Sequence, residues 1–179
     1  MSLCCIALLV SWVIAFWESP AGTLAQSRGD QRTKQLENEK KKLERTKDPA
    51  NRAKSLMRTA EILLTYVNDA ANANDPEKLK SAVAQYLQTV KDARDTMMKS
   101  GLDPHKKSGG YQAVEIALRK QLRTLQDTSR ILSVDERQPV DEAVESIMQI
   151  RDEFMRALFG TPMESDGAQA VVAFAQLPG

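Results

Sequence analysis

Cysteine is confined to Cys4 and Cys5, histidine occurs once, as His105, and aromatic side chains make up 5% of the 179 residues. Each scarcity excludes a class of chemistry. Beyond Cys5 the chain can form neither a disulfide framework nor a thiol nucleophile, so its core alone must hold it. Histidine-based hydrolytic zinc needs two or three imidazoles, and only one is present. The Glu-x-x-His pairs of a di-iron bundle, the Cys-x-x-Cys-His of attached haem and the Gly-x-Ser-x-Gly elbow of a serine hydrolase are all missing. No cofactor is expected, and an enzyme, which needs matched acid, base and nucleophile, is not the reading these residues favour.

A preponderance of one charge is also lacking. The chain is formally +1, and residues 26–179, which lose only Glu18 among the charged groups, hold 25 basic against 23 acidic side chains, or +2. That balance argues against electrostatic capture of nucleic acid. Sustained two-residue alternation and Asn-Gly or Gly-Asn turns are absent as well, so paired strands are not expected.

What is present begins with an uncharged apolar run over residues 3–17, shorter than the roughly 20 residues of a membrane-spanning helix. The small residues around Thr23-Leu24-Ala25 follow it, which is the pattern of a signal peptide over residues 1–25, cleaved after Ala25. The implied location is a bacterial periplasm or the exterior, with no membrane span left after cleavage; a retained amino-terminal anchor is the alternative. Residues 26–47 are dense in charge of both signs with only Leu36 and Leu43 on the apolar side, and read as a charged helical lead-in.

Asp48-Pro49, Asp75-Pro76 and Asp103-Pro104 repeat one signal: an Asp accepts from free first-turn amides, and a Pro has no amide to leave unpaired. A break is expected at Asp48, because Pro49 opposes continuation of the lead-in helix. Four apolar stripes follow at three- and four-residue spacing. They run Leu56 to Ala71, Leu79 to Ala93, Val114 to Leu125 with Glu115 and Arg119 paired on the other side, and Val140 to Leu158 before Gly160. The predicted fold is all-α, an antiparallel up-down-up-down four-helix bundle of two helical hairpins over residues 48–160. The tail 161–179, rich in small residues, reads as disordered.

One stretch remains to be placed. Met97 and Met98 close the second stripe, Ser100-Gly101 reads as its cap, Ser108-Gly109-Gly110 reads as the release into the next helix, and Tyr111 begins it. His105, Lys106 and Lys107 form a basic cluster between them. Met97, Met98, His105, Lys106, Lys107 and Tyr111 are therefore the candidate contact residues, for an anionic partner first and for copper(I), which favours thioether and imidazole, second. The functional expectation is an exported non-enzymatic helical protein acting through protein or envelope contacts, as an adaptor or chaperone-like module. A small-ligand or copper carrier is the alternative.

Overall fold

The structure, a computed structural model, describes residues 21–160, with side chains from Gly29 onward. The tail expectation for 161–179, and all but residues 21–25 of the expected leader, lie outside the described residues. Five helices and no strand occur among those described: α1 (Ala21–Arg45), α2 (Pro49–Asn72), α3 (Pro76–Met98), α4 (Ser108–Ile131) and α5 (Gln138–Phe159). Of the described residues, 36–160 cluster as one compact unit that carries the core; residues 21–35 belong to a separate unit and are helical throughout. No helix among the described residues is long and apolar enough to cross a membrane.

The Asp-Pro signals set two of the helix starts. Asp48 and Asp75 stand as extended caps whose carboxylates accept from the amides of Asn51 (2.8 Å) and Lys78 (3.1 Å), with Pro in the first turn. The lead-in helix accordingly stops at Arg45 and α2 starts at Pro49. At Asp103 the same dipeptide makes a turn instead, its carboxylate accepting from the His105 amide at 2.9 Å, and α4 starts later, without a side-chain cap. Gly101 takes a φ of 68°, in the left-handed region where a side chain is strained, and so lets the chain leave α3.

The stripes face inward. Leu56, Leu63, Leu64 and Val67 of α2, Leu79, Val83 and Val90 of α3, Val114, Leu118 and Leu125 of α4, and Val140, Ile147 and Phe154 of α5 are all buried. Leu43 of α1 packs half-buried against the same core.

The order of neighbours differs from the simplest expectation. In an up-down-up-down ring each helix lies beside the next in the chain, which would put α4 against α3. Here α2 packs on α3 and α4, α5 packs on α4 and α3, α3 and α4 meet only slightly, and α2 and α5 do not meet. Ala50 with Gly110, Met57 with Gln121 and Asn68 with Thr128 meet in ascending order along both helices, so α2 and α4 run side by side in the same sense. Residues 99–107 are long enough to carry the chain across, and half-buried Leu102 packs against the core on the way.

The crossing depends on Gly110, which the sequence reads as loop but which lies in the first turn of α4. A Cβ at this position would stand 2.9 Å from both Ala50 Cβ and Met97 Cε, whereas one at Gly109 would meet nothing within 4 Å. Met97 can swing away, but Ala50 Cβ moves only with its backbone. Gly110→Ala is therefore expected to lower stability by about 1–3 kcal/mol through overpacking, outweighing a helix-propensity gain of about 1 kcal/mol. Gly109→Ala is expected to be neutral or stabilising. Urea denaturation of both variants checks this; a stabilised Gly110→Ala would show that the helices approach less closely.

Candidate functional site

The structure divides the six candidate residues between interior and surface. Met97 is fully buried and Tyr111 nearly so, while Met98 is half-buried against the core. The Tyr111 hydroxyl lies 3.1 Å from the carbonyl oxygens of both Met97 and Leu102, so it ties the end of α3 and the connection to the start of α4. Its ring meets Phe154 of α5 at 5.8 Å between centroids, tilted by 58°. The structure thus brings Met97 and Tyr111 together as packing. His105, Lys106 and Lys107 remain exposed on the connection, with Lys106 Nζ 3.8 Å from Asp103.

The Tyr86 hydroxyl, like that of Tyr111, bonds inside the protein. Tyr86 is fully buried, and its hydroxyl donates to Gln121 Oε1 at 3.1 Å, while Gln121 Nε2 donates to the Met57 carbonyl at 3.0 Å. Three helices are joined through one polar chain in an apolar interior. Burial pushes the Tyr86 phenol well above its ordinary value. Gln121 falls between Leu118 and Leu125 in sequence, so the period alone carried the signal that it faces inward.

Glu115 also departs from the sequence reading. Sequence places it with Arg119 on the outer side of α4, but it is buried, at 5% exposure. Its Oε2 accepts from Arg119 at 2.8 Å and its Oε1 from Arg151 of α5 at 3.0 Å. Each oxygen accepts one of these bonds, and the group fastens α4 to α5. Arg94 of α3 grips Glu153 of α5 in the same manner, through Nε at 2.6 Å and a terminal nitrogen at 3.1 Å. Every buried side-chain nitrogen and oxygen among the described residues has a partner. No group of three or more His, Cys, Asp or Glu among the described residues is placed to hold a metal ion.

Grooves open on the surface of the described residues. A groove of about 590 Å³ lies between α2 and α3, floored by Leu63, Ala70 and Ala82 and edged by Leu36, Tyr66 and Lys78. A second, of about 520 Å³, lies where α3 and α5 begin, with Val83 and Leu87 inside and Glu77, Asp135, Glu136 and Glu142 on its rim beside a single base, Lys80. A cleft of about 280 Å³ at the α1–α2 elbow is lined by Lys42, Thr46, Asn51, Lys54, Ser55 and Arg58.

These sites differ in charge because the exposed groups are sorted along the helices. From Lys40 to Arg58 eight basic side chains, all exposed, stand against Glu44 and Asp48. Residues 127–145, at the far end of α4 and the start of α5, hold six acidic side chains against Arg130 and Arg137. Asp75, near that far end, has its carboxyl held below the ordinary range by hydrogen bonds from the Lys78 ammonium and amide. Comparison with protein families, with curated proteins and with solved structures gives no match for this chain.

Proposed function

We propose that this protein is an exported, non-enzymatic helical module that acts by surface contact with a protein or envelope partner. Its scaffold in this reading is a four-helix bundle of two antiparallel hairpins, α2–α3 and α4–α5, laid side by side in the same sense. The pairing of α2 with α4 and of α3 with α5 supports that scaffold.

The observation that carries the functional reading is the separation of exposed charge: a basic elbow where α2 begins and an acidic groove where α3 and α5 begin. Charge arranged this way governs encounter and orientation with a partner, and it costs a fold nothing in packing because all of it stays wet. The packed interior supports the same reading, since its polar groups are used up in joining helices.

The test is cross-linking in the native compartment, with the wild-type chain against Lys40→Glu/Lys41→Glu/Lys42→Glu. These side chains are exposed, so the variant is expected to keep its helix content and melting temperature. The expected result is a discrete cross-linked species that the variant loses. Stoichiometric metal or a small ligand retained by natively purified protein, with no cross-linked species, would overturn the proposal.

A further inference from the structure

The partner's chemistry follows from which segments share one end of the helices. Gly110, at the start of α4, lies against Ala50, at the start of α2, and Met97, at the end of α3. Tyr111 lies against Phe154, near the end of α5. The α1–α2 elbow, the 99–107 connection and the last turn of α5 are therefore neighbours at one end.

That end gathers most of the exposed cations. The eight bases from Lys40 to Arg58 are joined there by Lys99, Lys106 and Lys107 of the connection, of which Lys99 pairs with Asp95 at 2.7 Å and Lys106 stands 3.8 Å from Asp103. Glu39 adds a carboxylate at the elbow, but it accepts from Ser55 and stands 3.9 Å from both Lys42 and Arg58, so part of the cationic group already encloses it. The same end exposes a large apolar side chain: Phe159, 73% exposed, closes α5. The opposite end is acidic. At 24 residues α2 is roughly 36 Å long, several Debye lengths, each about 8 Å at physiological salt.

We propose that this basic end docks on the surface of an anionic phospholipid bilayer. The inference rests on the contact-module reading and names its partner. A plane is the shape that fits: it meets one end of the helices only and leaves the acidic end beyond the reach of its field. A long flexible polyanion would meet both ends, and the near-neutral whole opposes it. Lysine predominates at the elbow, as Lys40, Lys41, Lys42, Lys47 and Lys54, and point charges on flexible stems suit a diffuse layer of lipid phosphates. The elbow cleft lined by Lys42, Lys54 and Arg58 has room for a headgroup phosphate. Phe159 supplies the apolar contact that settles an aromatic ring at the headgroup boundary.

The experiment is flotation of the full chain with vesicles of phosphatidylcholine alone or with a third phosphatidylglycerol, at low and high salt. The apolar segment 3–17 would bind both vesicle types alike and independently of salt, so the difference between them isolates the basic end. Each cation near an anionic surface is worth about fivefold in affinity, so Lys40→Gln/Lys41→Gln/Lys42→Gln is expected to weaken the anionic-specific binding on the order of a hundredfold. High salt is expected to abolish that component. Phe159→Ser is expected to weaken it severalfold, and Glu136→Gln/Glu142→Gln at the acidic end is expected not to weaken it. Equal binding to both vesicle types, or anionic binding unmoved by the lysine variant, overturns the proposal. If vesicles fail while native cross-linking still depends on Lys40, Lys41 and Lys42, the bilayer is refuted and the contact-module reading stands; if both fail, that reading falls too.

Discussion

Phe154→Ala is expected to cost about 3–5 kcal/mol of stability, the range for deleting a fully buried phenyl ring. Phe154 has no exposed surface and its ring meets Tyr111 across the α4–α5 boundary. The loss therefore combines transfer of the ring, the cavity left behind and the tilted ring contact, itself worth about 0.5–1.5 kcal/mol. Tyr111 also ties Met97 and Leu102 through its hydroxyl, so loosening its ring loosens the crossing connection. For a domain stable by about 5–15 kcal/mol, that is a large share. Urea denaturation followed by circular dichroism reads it directly, and Phe154→Leu should recover more than half. A cost below about 1 kcal/mol would mean that the ring is not packed as described.

The Tyr86–Gln121–Met57 chain gives the second large effect. Tyr86→Ala is expected to cost about 3–5 kcal/mol, as for other large aromatic truncations. Tyr86→Phe isolates the polar part. It leaves Gln121 Oε1 buried without its donor, for about 1–3 kcal/mol. Gln121→Leu leaves the Tyr86 hydroxyl unpaired for a similar cost. The double variant Tyr86→Phe/Gln121→Leu removes both partners and should cost less than the sum of the singles; strict additivity would show that the two side chains do not bond.

Tyr86 also sets a pH dependence. Burial raises its phenol above the ordinary value of 10.0 in the folded protein. Below pH 10 the proton is bound in both states and the contribution is fully present. Above pH 10 the unfolded chain sheds a proton that the folded chain retains, so stability falls as pH rises. Tyr86→Phe should flatten that alkaline fall.

Much of this protein is legible in its sequence, and the legible part is local. The spacing of Leu56, Leu63 and Val67, or of Val140, Ile147 and Phe154, announces a helix and its buried face because residues three and four apart share one side. Asp48-Pro49 announces a boundary because its chemistry acts within one turn. Asp103-Pro104 has the same chemistry, yet the chain turns there and starts α4 only at Ser108. Of the six candidate contact residues, Met97 and Tyr111 are interior and His105, Lys106 and Lys107 are exposed, a division that spacing near a helix end does not resolve.

The sequence by itself determined that residues 49–159 form amphipathic helices, which side chains lie on their apolar stripes, and where the lead-in stops. Only tertiary structure decided that α2 lies beside α4, that Glu115 is held between two arginines and that Gln121 bonds Tyr86. It also decided that the elbow cations share an end with Lys106, Lys107 and Phe159. The reason is range: helix period and capping act within about a turn and are written in adjacent residues. Which helices touch depends on how whole surfaces interlock and on the path of residues 99–107, quantities that no short stretch encodes.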